Sequence, residues 1–345
     1  MSNWLKICNH QFHQQIFECL WNQWSQLGIA GCCQSQEHRI IDPESLLLFS
    51  LSVCRFEPRL FDEIIDWLVK NGHIINVQRL VQIQKKYSFD CNAQLSAIAK
   101  ILTDKTTYKL KWSGLSKKYQ QKPAKPLFID IDGSPMPHPS LDYAHPDFLD
   151  CGLIRGKLNL RGYSQSFDAN SHGCVLLKLR ALIGINARAE ILSLLLSGKE
   201  IHPSEAARRI HYYQKTVQTT LVEMSLSSLI LVRQFNRKKM YRIKEGVFDG
   251  IIKTNSSQYP KWINWAQLFK ISEMLMLNIS ELCKTNIQEP LLSSELKKLM
   301  SSLTTKYCDA EGIERLVIEK TIDLEDFPVS FKSKLIELSK LLNNS

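Results

Sequence analysis

The sequence lacks any apolar run near the roughly 18 residues that a membrane-spanning helix needs. Its longest apolar stretches, such as 45–53, have the length of buried core segments. The ten cysteines form no Cys-x-x-Cys pair, the spacing typical of zinc knuckles and redox sites. A basic-then-apolar secretory leader is also missing, since polar residues interrupt 8–23. We therefore expect a soluble cytoplasmic protein, with reduced thiols and no contact with membranes.

The composition is that of a globular protein. The chain has 345 residues, of which 44% are hydrophobic and 23% are charged. This length accommodates two or three domains.

The formal net charge of +10 is concentrated in two segments. Residues 104–126 carry seven basic and one acidic side chain, and residues 178–244 carry 13 basic and four acidic ones. The rest of the chain is neutral or slightly acidic. A neutral protein with one basic module is the pattern expected of a protein that binds a phosphate backbone. A merely solvated lysine-rich surface is the alternative.

Apolar periodicity divides the chain into five parts. They are a helical N-terminal domain at 1–103, a basic linker at 104–126, a loop-rich segment at 127–177, a basic module at 178–245 and a helical C-terminal region at 246–345. In the loop-rich segment we expect a short strand at 127–131. In the C-terminal region we expect a strand over 313–322 and a closing helix over 331–342.

The basic module predicts an ordered set of short elements. They are a helix over 187–197, a short strand at 201, a helix over 203–210, a turn at 211–213, a helix over 214–224, a strand over 229–232, a basic turn over 235–239 and a strand over 240–243. Gly198 closes the first helix, and Pro203 stands in the first turn of the second, where its missing N–H costs nothing.

The third helix of this set is amphipathic. Val217, Leu221 and Met224 lie at i, i+4 and i+7, so one stripe is expected to be buried. The polar side chains of the first turns are left outside, where a recognition helix presents groups to the major groove. The basic turn that follows is suited to contacts with phosphates or with the minor groove.

These residues resemble a known family. The segments Leu179–Ile191, Pro203–Ala207, Thr216–Val217, Leu229–Arg233 and Tyr241–Ile243 look like bacterial winged-helix transcriptional regulators of the MarR/ArsR-like kind. The resemblance covers about a fifth of the chain. It implies a winged helix-turn-helix, embedded between helical regions in a mainly α protein, that binds double-stranded DNA as a homodimer to regulate transcription.

Three residues depart from the family pattern. His211 stands in the turn where Gly is usual, and His tolerates left-handed geometry better than most residues. Tyr213 replaces the usual Ser-like cap of the third helix, a loss of about 1 kcal/mol. Ser228 stands where Gly usually precedes the first strand of the hairpin.

Candidate DNA contacts come from all parts of the module. We expect the third helix to contact base edges and the arginines and lysines to contact phosphates. The candidates are Ser204, Arg208, Arg209, Tyr213, Gln214, Lys215, Thr216, Gln218, Thr219, Arg233, Arg237, Lys238, Lys239 and Arg242. No catalytic residue, metal ligand or cofactor is predicted.

Two other functions stay open. The module could bind protein instead of DNA, and the N- or C-terminal helices could also contact a protein partner. The segment Phe128–Gly133 resembles the first motif of haloacid dehalogenase-type phosphatases, in which Asp130 would be the nucleophile and Asp132 the general acid beside magnesium. That motif continues with Thr or Val, whereas Ser134 and Pro135 follow here.

Two sets of residues contain the side-chain types that bind metals. Cys8, His10, His13 and Cys19 fall on an expected helix and its approach, and not all four can share one face. The other set is His138, His145 and His172 of the loop-rich segment, where surface histidines are the simpler explanation.

Overall fold

The protein is mainly helical in a computed structural model. The structure describes residues 3–29, 38–116, 123–198, 200–252, 259–285, 287–308, 310, 312–318, 322–323 and 326–343. No helix formed by these residues combines the length and the apolar character that crossing a bilayer requires. The prediction of a mainly α protein is confirmed. Of the basic linker, residues 117–122 lie outside the described residues, as do Cys32 and Cys33.

The described residues form fifteen α-helices, joined in places by short 3-10 helices. They are α1 (Asn3–Gln26), α2 (Pro43–Val53), α3 (Pro58–Asn71), α4 (Val77–Tyr87), α5 (Asn92–Lys105), α6 (Lys109–Ser116), α7 (Pro146–Leu149), α8 (Val175–Ile183), α9 (Ala187–Leu195), α10 (Pro203–Ile210), α11 (Gln214–Ser225), α12 (Asp249–Ile252), α13 (Trp265–Leu282), α14 (Glu289–Lys306) and α15 (Phe327–Asn343).

The strands pair two by two in the part of the chain that the structure describes. β1 (Arg39–Ile40) and β6 (Lys261–Trp262) are parallel, as are β2 (Lys125–Pro126) and β3 (Leu153–Ile154). β4 (Ile230–Phe235) and β5 (Lys238–Ile243) form an antiparallel hairpin. Only this hairpin is long enough to present two distinct faces.

Two predicted strands are wrong. The strand expected at 127–131 is displaced to β2, because Ile129 donates its N–H to the carbonyl of Arg55 and a turn closes from Asp130 to Gly133. Of the strand expected over 313–322, residues 319–321 lie outside the described residues, and Ile313–Leu316 is a 3-10 helix. Its three-residue period turns Ile313 and Leu316 to the same side, and both are buried.

Helix starts follow the capping rules. The carboxylate of Asp42 accepts the N–H of Ser45 at the start of α2, whose first residue is Pro43. The Asn76 side chain likewise accepts the N–H of Arg79 at the start of α4. Both caps recur below, because their side chains also bind the rest of the protein.

The larger of two hydrophobic cores combines helices from both ends of the sequence. Phe49 of α2 stacks on Phe269 of α13 with ring centroids 4.8 Å apart. In α1, His13 Nε2 lies 3.2 Å from the hydroxyl of Ser280, which is 267 residues away in sequence. The predicted N-terminal and C-terminal helical regions therefore share one core. Helix α6, inside the predicted basic linker, also contributes the buried Trp112 to it.

The smaller core is built almost entirely from residues 175–243. It contains the apolar sides of α8, α9, α10 and α11 and the inner face of the β4–β5 hairpin. Ala206 and Ala207 are buried in it and leave room for close packing of α10. Only Ile40 and Trp262, from the β1–β6 pair, enter this core from elsewhere among its buried members. Residues 187–243, called the hairpin module below, thus have their own apolar centre.

A buried ion-pair cluster joins the hairpin module to the helical body. Arg79 of α4 bonds Asp42 and Glu44, each at 2.6 Å. Arg180 of α8 bonds Glu44 at 2.7 Å and also Glu190 of α9. Burial works to raise the pKa of Asp42, but the charge and hydrogen bonds of Arg79 outweigh it and hold that pKa below its usual range. The cluster is therefore ionised at Asp42 and closed to water.

The same cluster reaches the turn after α10. The Nε of Arg79 donates to the carbonyl of Ile210 at 2.9 Å, the last residue of α10. His211 follows in left-handed geometry with φ of 60°, as expected for this position. Its ring is buried, and burial together with the charge of Arg79 lowers its pKa to about 3. The turn is thus built around a neutral imidazole.

We expect loss of one cation from the cluster to destabilise the protein strongly. Arg180→Met leaves Glu44 and Glu190 short of a partner in a dry site, at a cost of about 3–5 kcal/mol. Arg188→Met is the control, because Arg188 pairs with Glu223 in a half-exposed bridge whose loss costs about 1 kcal/mol or less. Urea unfolding measures both. Equal losses of unfolding free energy in the two variants would contradict a stabilising role of the buried cluster.

We also expect acid to weaken the protein through His211. The unfolded chain protonates this residue near pH 6.5, whereas the folded chain resists protonation down to about pH 3. Stability is therefore full above pH 6.5 and falls as the pH drops, by about 2 kcal/mol between pH 7 and pH 5. His211→Asn, which keeps left-handed tolerance, removes this share of the pH dependence.

A second buried histidine also contributes to the pH dependence of stability, and an exposed histidine provides the control. Burial also lowers the pKa of His13 to about 4, so a residual slope remains in His211→Asn. His138 is exposed, and His138→Asn should leave the profile unchanged. The idea is rejected if the unfolding free energies of His211→Asn and the parent protein keep the same slope from pH 7 to pH 5.

Candidate nucleic-acid interface

The hairpin module places three helices and a hairpin in a fixed order. Helix α9 is followed by Ile201, which forms an isolated antiparallel bridge to Tyr241 of β5. Then come α10, the turn at 211–213, α11 and the β4–β5 hairpin. The bridge matters because its two backbone hydrogen bonds, both 3.0 Å, fasten the second strand of the hairpin to the start of α10.

Helix α11 has one buried and one exposed side. Val217 and Leu221 are fully buried and Met224 is half-buried, which confirms the predicted apolar stripe. The other side of the first turns is in solvent. Its exposed polar residues are Gln214, Lys215, Thr216, Gln218 and Thr219. These candidates therefore form one continuous accessible surface.

The residue before α11 lacks a side-chain cap, as the sequence indicates. Tyr213 is extended, and the structure gives it no side-chain hydrogen bond to the first turn of α11. Its phenol is 70% exposed, and its oxygen accepts a hydrogen bond of 3.1 Å from the amide of Gln82 in α4. Tyr213 consequently stands at the edge between α11 and the helical body.

The two strands of the hairpin pair continuously and are joined by a tight turn. Phe235 pairs with Lys238, so only Asn236 and Arg237 form the turn, which is shorter than the predicted 235–239. Asn236 has φ of 52°, a conformation that Asn tolerates. Before β4, Ser228 also has a left-handed φ, of 59°, at the position where the family pattern has Gly.

The two faces of the hairpin differ in chemistry. Directly opposed residues of an antiparallel pair share a face. Ile230 and Tyr241 belong to the inner face and are buried. The outer face carries three cations and three apolar side chains, one of each in every opposed pair. Its members are Leu231, Arg233, Phe235, Lys238, Met240 and Arg242.

The cations of the module differ in how far they are neutralised. Arg233 and Arg242 lie 3.9 and 3.7 Å from one oxygen of Glu200 and share it. Within the described residues, no ion-pair partner is found for Lys215, for Arg237 at the turn or for the adjacent lysines, Lys238 and Lys239. Cations without an ion-pair partner among the described residues therefore lie at the tip of the hairpin and at the start of α11.

Helix α10 presents fewer free groups for phosphate binding than the sequence predicts. Ser204 is exposed, but its hydroxyl lies 2.7 Å from Nδ1 of His202. Arg208 and Arg209 both bond the carboxylate of Glu205, each at 2.6 Å. Burial works to raise the pKa of Glu205, but the bonds from the two arginines lower it. A phosphate at α10 would have to compete with this carboxylate.

The exposed apolar residues of the module were not foreseen. Phe235 is 61% exposed in the outer hairpin face, and Leu226 is 83% exposed just after α11. Strand alternation could have identified Phe235, because it falls two residues after Arg233 and opposite Lys238. Helical spacing separates Leu226 from the buried stripe of α11, because it lies five residues after Leu221.

The phosphatase motif lies in a turn at the protein surface. The carboxylate of Asp132 accepts the N–H and the hydroxyl of Ser134 at 2.8 and 2.6 Å, and these bonds lower its pKa. Asp130 precedes it where Ile129 forms only an isolated bridge to Pro135. No group of three or more metal-ligating side chains occurs among the described residues.

Comparisons with known proteins find no relative of this chain. The chain matches no protein-family model, no curated protein and no solved structure.

Proposed function

We propose that the hairpin module is a winged helix-turn-helix that binds double-stranded DNA, and that the protein is a cytoplasmic transcriptional regulator. The observation that carries the proposal is the exposed polar side of α11 beside a hairpin whose tip holds three unneutralised cations. Both surfaces are already exposed in the protein without DNA. The order of the elements is that of the MarR/ArsR-like regulators that the sequence resembles.

In this proposal α11 reads the base edges. A helix fits the major groove, and the residues near its N-terminus reach the bases. Gln214 and Gln218 lie one turn apart on the exposed side, and Gln can make two hydrogen bonds to adenine. Lys215 between them suits guanine or phosphate.

In this proposal the hairpin contributes positive charge and does not recognise the base sequence. Arg237, Lys238 and Lys239 are exposed at its tip and would bind phosphates or enter the minor groove. Of the remaining candidates, Arg233 and Arg242 are screened by Glu200, while Arg208 and Arg209 are held by Glu205. We therefore assign the largest share of phosphate binding to the hairpin tip.

A homodimer belongs to the proposal as its second part. Two copies would place two α11 helices on neighbouring turns of one DNA face. The exposed Val222, Leu226 and Leu229 form an apolar strip at the end of α11 that a partner could cover. The same strip supports the alternative function, in which the module binds another protein and not DNA.

We expect Gln214→Ala with Gln218→Ala to remove sequence preference. A good two-bond contact with a base is worth about 1–3 kcal/mol of discrimination, so affinity for selected duplexes should fall by about tenfold or more. Affinity for scrambled duplexes should change little. The measurement is binding of each variant to duplexes selected from random sequence and to scrambled versions of them.

The control changes two glutamines elsewhere. Gln11 and Gln14 are exposed on α1, so Gln11→Ala with Gln14→Ala should keep the preference. Val217→Asp buries a charge and should unfold the module. Its circular dichroism spectrum is the reference for a folding defect. A folded Gln214 and Gln218 variant with undiminished preference for selected duplexes would show that α11 is not the reader.

We expect the hairpin tip to act through charge alone. Replacing Arg237, Lys238 and Lys239 by Ala should weaken selected and scrambled duplexes equally and lower the salt slope by about 2–3. Lys297, Lys298 and Lys306 of α14 provide a control of equal charge, whose replacement by Ala should leave the slope unchanged. If both triple variants change the slope alike, the tip has no special contact with DNA.

A further inference from the structure

A cavity of about 410 Å³ lies between the helical body and the turn that leads into α11. One wall is α4, the second is α6, and the third is the turn at 211–213. Of the candidate DNA contacts, only Tyr213 lines this cavity, and the exposed polar side of α11 begins beyond it. Its volume is in the range of sites for small organic molecules.

The lining of the cavity combines apolar walls with a few polar groups. Val77, Val81 and Leu115 supply aliphatic surface. The amide of Gln82 and the phenols of Tyr212 and Tyr213 supply hydrogen-bonding groups and ring surface. Such a mixture, mostly apolar with a small number of converging polar groups, is typical of binding sites for small ligands.

The charge in the cavity is positive. None of the described residues that line it is acidic. Arg79 is already saturated by Asp42 and Glu44, but Lys111 of α6 bonds only the backbone carbonyl of His73 among the described residues. Burial and, to a smaller extent, the charge of Arg180 lower the pKa of Lys111 to about 8, against the opposing charge of Glu44. An anion beside this amine would supply the carboxylate partner that it lacks.

One buried ring nitrogen in the lining has no hydrogen-bond partner among the described residues. His211 lines the cavity, its ring is more than nine-tenths buried, and its Nδ1 has no hydrogen-bond partner in the structure. Buried ring nitrogens are usually paired, and exceptions call for an explanation. A turn that adjusts when the cavity is filled would provide one.

We propose that this cavity binds a small organic anion with a flat apolar body, whose negative group pairs with Lys111. The apolar body lies against Val81 and Leu115 and reaches the rings of Tyr212 and Tyr213. Occupancy stiffens the turn before α11, since Gln82 and Asn76 already bond the phenols of Tyr213 and Tyr212 at 3.1 and 2.6 Å. The site does not depend on DNA binding and is tested without DNA.

Gly114 allows the cavity to be filled by mutation. It lines the cavity in α6, and a Cβ built on it meets nothing within 4 Å. Gly114→Leu should therefore occupy the cavity without strain, and leucine is also the better helix former. Gly156→Leu is the matched control, because Gly156 also has open space but lies outside the cavity. For charge, Lys111→Gln is matched by Lys109→Gln on the exposed side of the same helix.

The probes are 2-naphthoate and its neutral analogue 2-naphthamide, with binding measured by calorimetry and thermal unfolding. We expect saturable binding of naphthoate, about tenfold tighter than naphthamide, because a charge-assisted bond to Lys111 adds to the apolar contact. Lys111→Gln should bring the two probes to equal affinity, and Gly114→Leu should abolish binding. Lys109→Gln and Gly156→Leu should bind as the parent protein does.

Hydrogen exchange of residues 211–216 tests the link to α11. Naphthoate should slow exchange there in the parent protein and leave Gly114→Leu unaffected. The anion site is overturned if naphthoate does not bind saturably, if the two probes bind equally to the parent protein, or if Gly114→Leu binds normally. Binding without slower exchange at 211–216 would overturn the link to the turn. None of these results bears on whether α11 contacts DNA.

Discussion

The buried cluster of Asp42, Glu44, Arg79, Arg180 and Glu190 determines how the hairpin module sits on the helical body. Its five charged groups come from four elements, with Asp42 and Glu44 both at the start of α2, and each ion pair fixes one element against another. Charged groups in a dry site tolerate little displacement, because a lost contact leaves an unpaired ion. The apolar contacts between the two cores could slide, whereas these contacts cannot. Burial raises the pKa of Glu190 even here, so the cluster keeps some electrostatic cost.

This constraint has its main effect at the turn before α11. Arg79 is at once a member of the cluster, the donor to the last carbonyl of α10 and a wall of the cavity. The start of α11 is thus fixed from the body side, while its polar side remains open to solvent. A helix that must enter a groove gains from such preorganisation, since less conformational freedom is lost on binding. The cavity gives a small molecule access to the body side of this turn.

Local features of the fold could be predicted from the sequence, and long-range ones could not. The stripe of Val217 and Leu221 and the left-handed His211 follow from spacing and residue type, and the structure has both. The pairing of Glu205 with Arg208 and Arg209 was also within reach, because residues three and four apart on a helix are neighbours. The cluster, by contrast, joins Glu44 to Arg180, which lie 136 residues apart. No periodicity records such a contact, and the same holds for the cavity.

The arrangement of the two cores sets an order for folding during synthesis. The smaller core needs little beyond residues 175–243, which are contiguous, whereas the larger one packs α1 against α13 and α15. Contacts between distant parts of a chain form late, because a long loop must close first. The apolar side of α1 therefore stays without these partners until α13 and α15 have been made, exposed to chaperones and to neighbouring chains. The hairpin module, by contrast, draws most of its apolar centre from one contiguous stretch and does not need the last two helices.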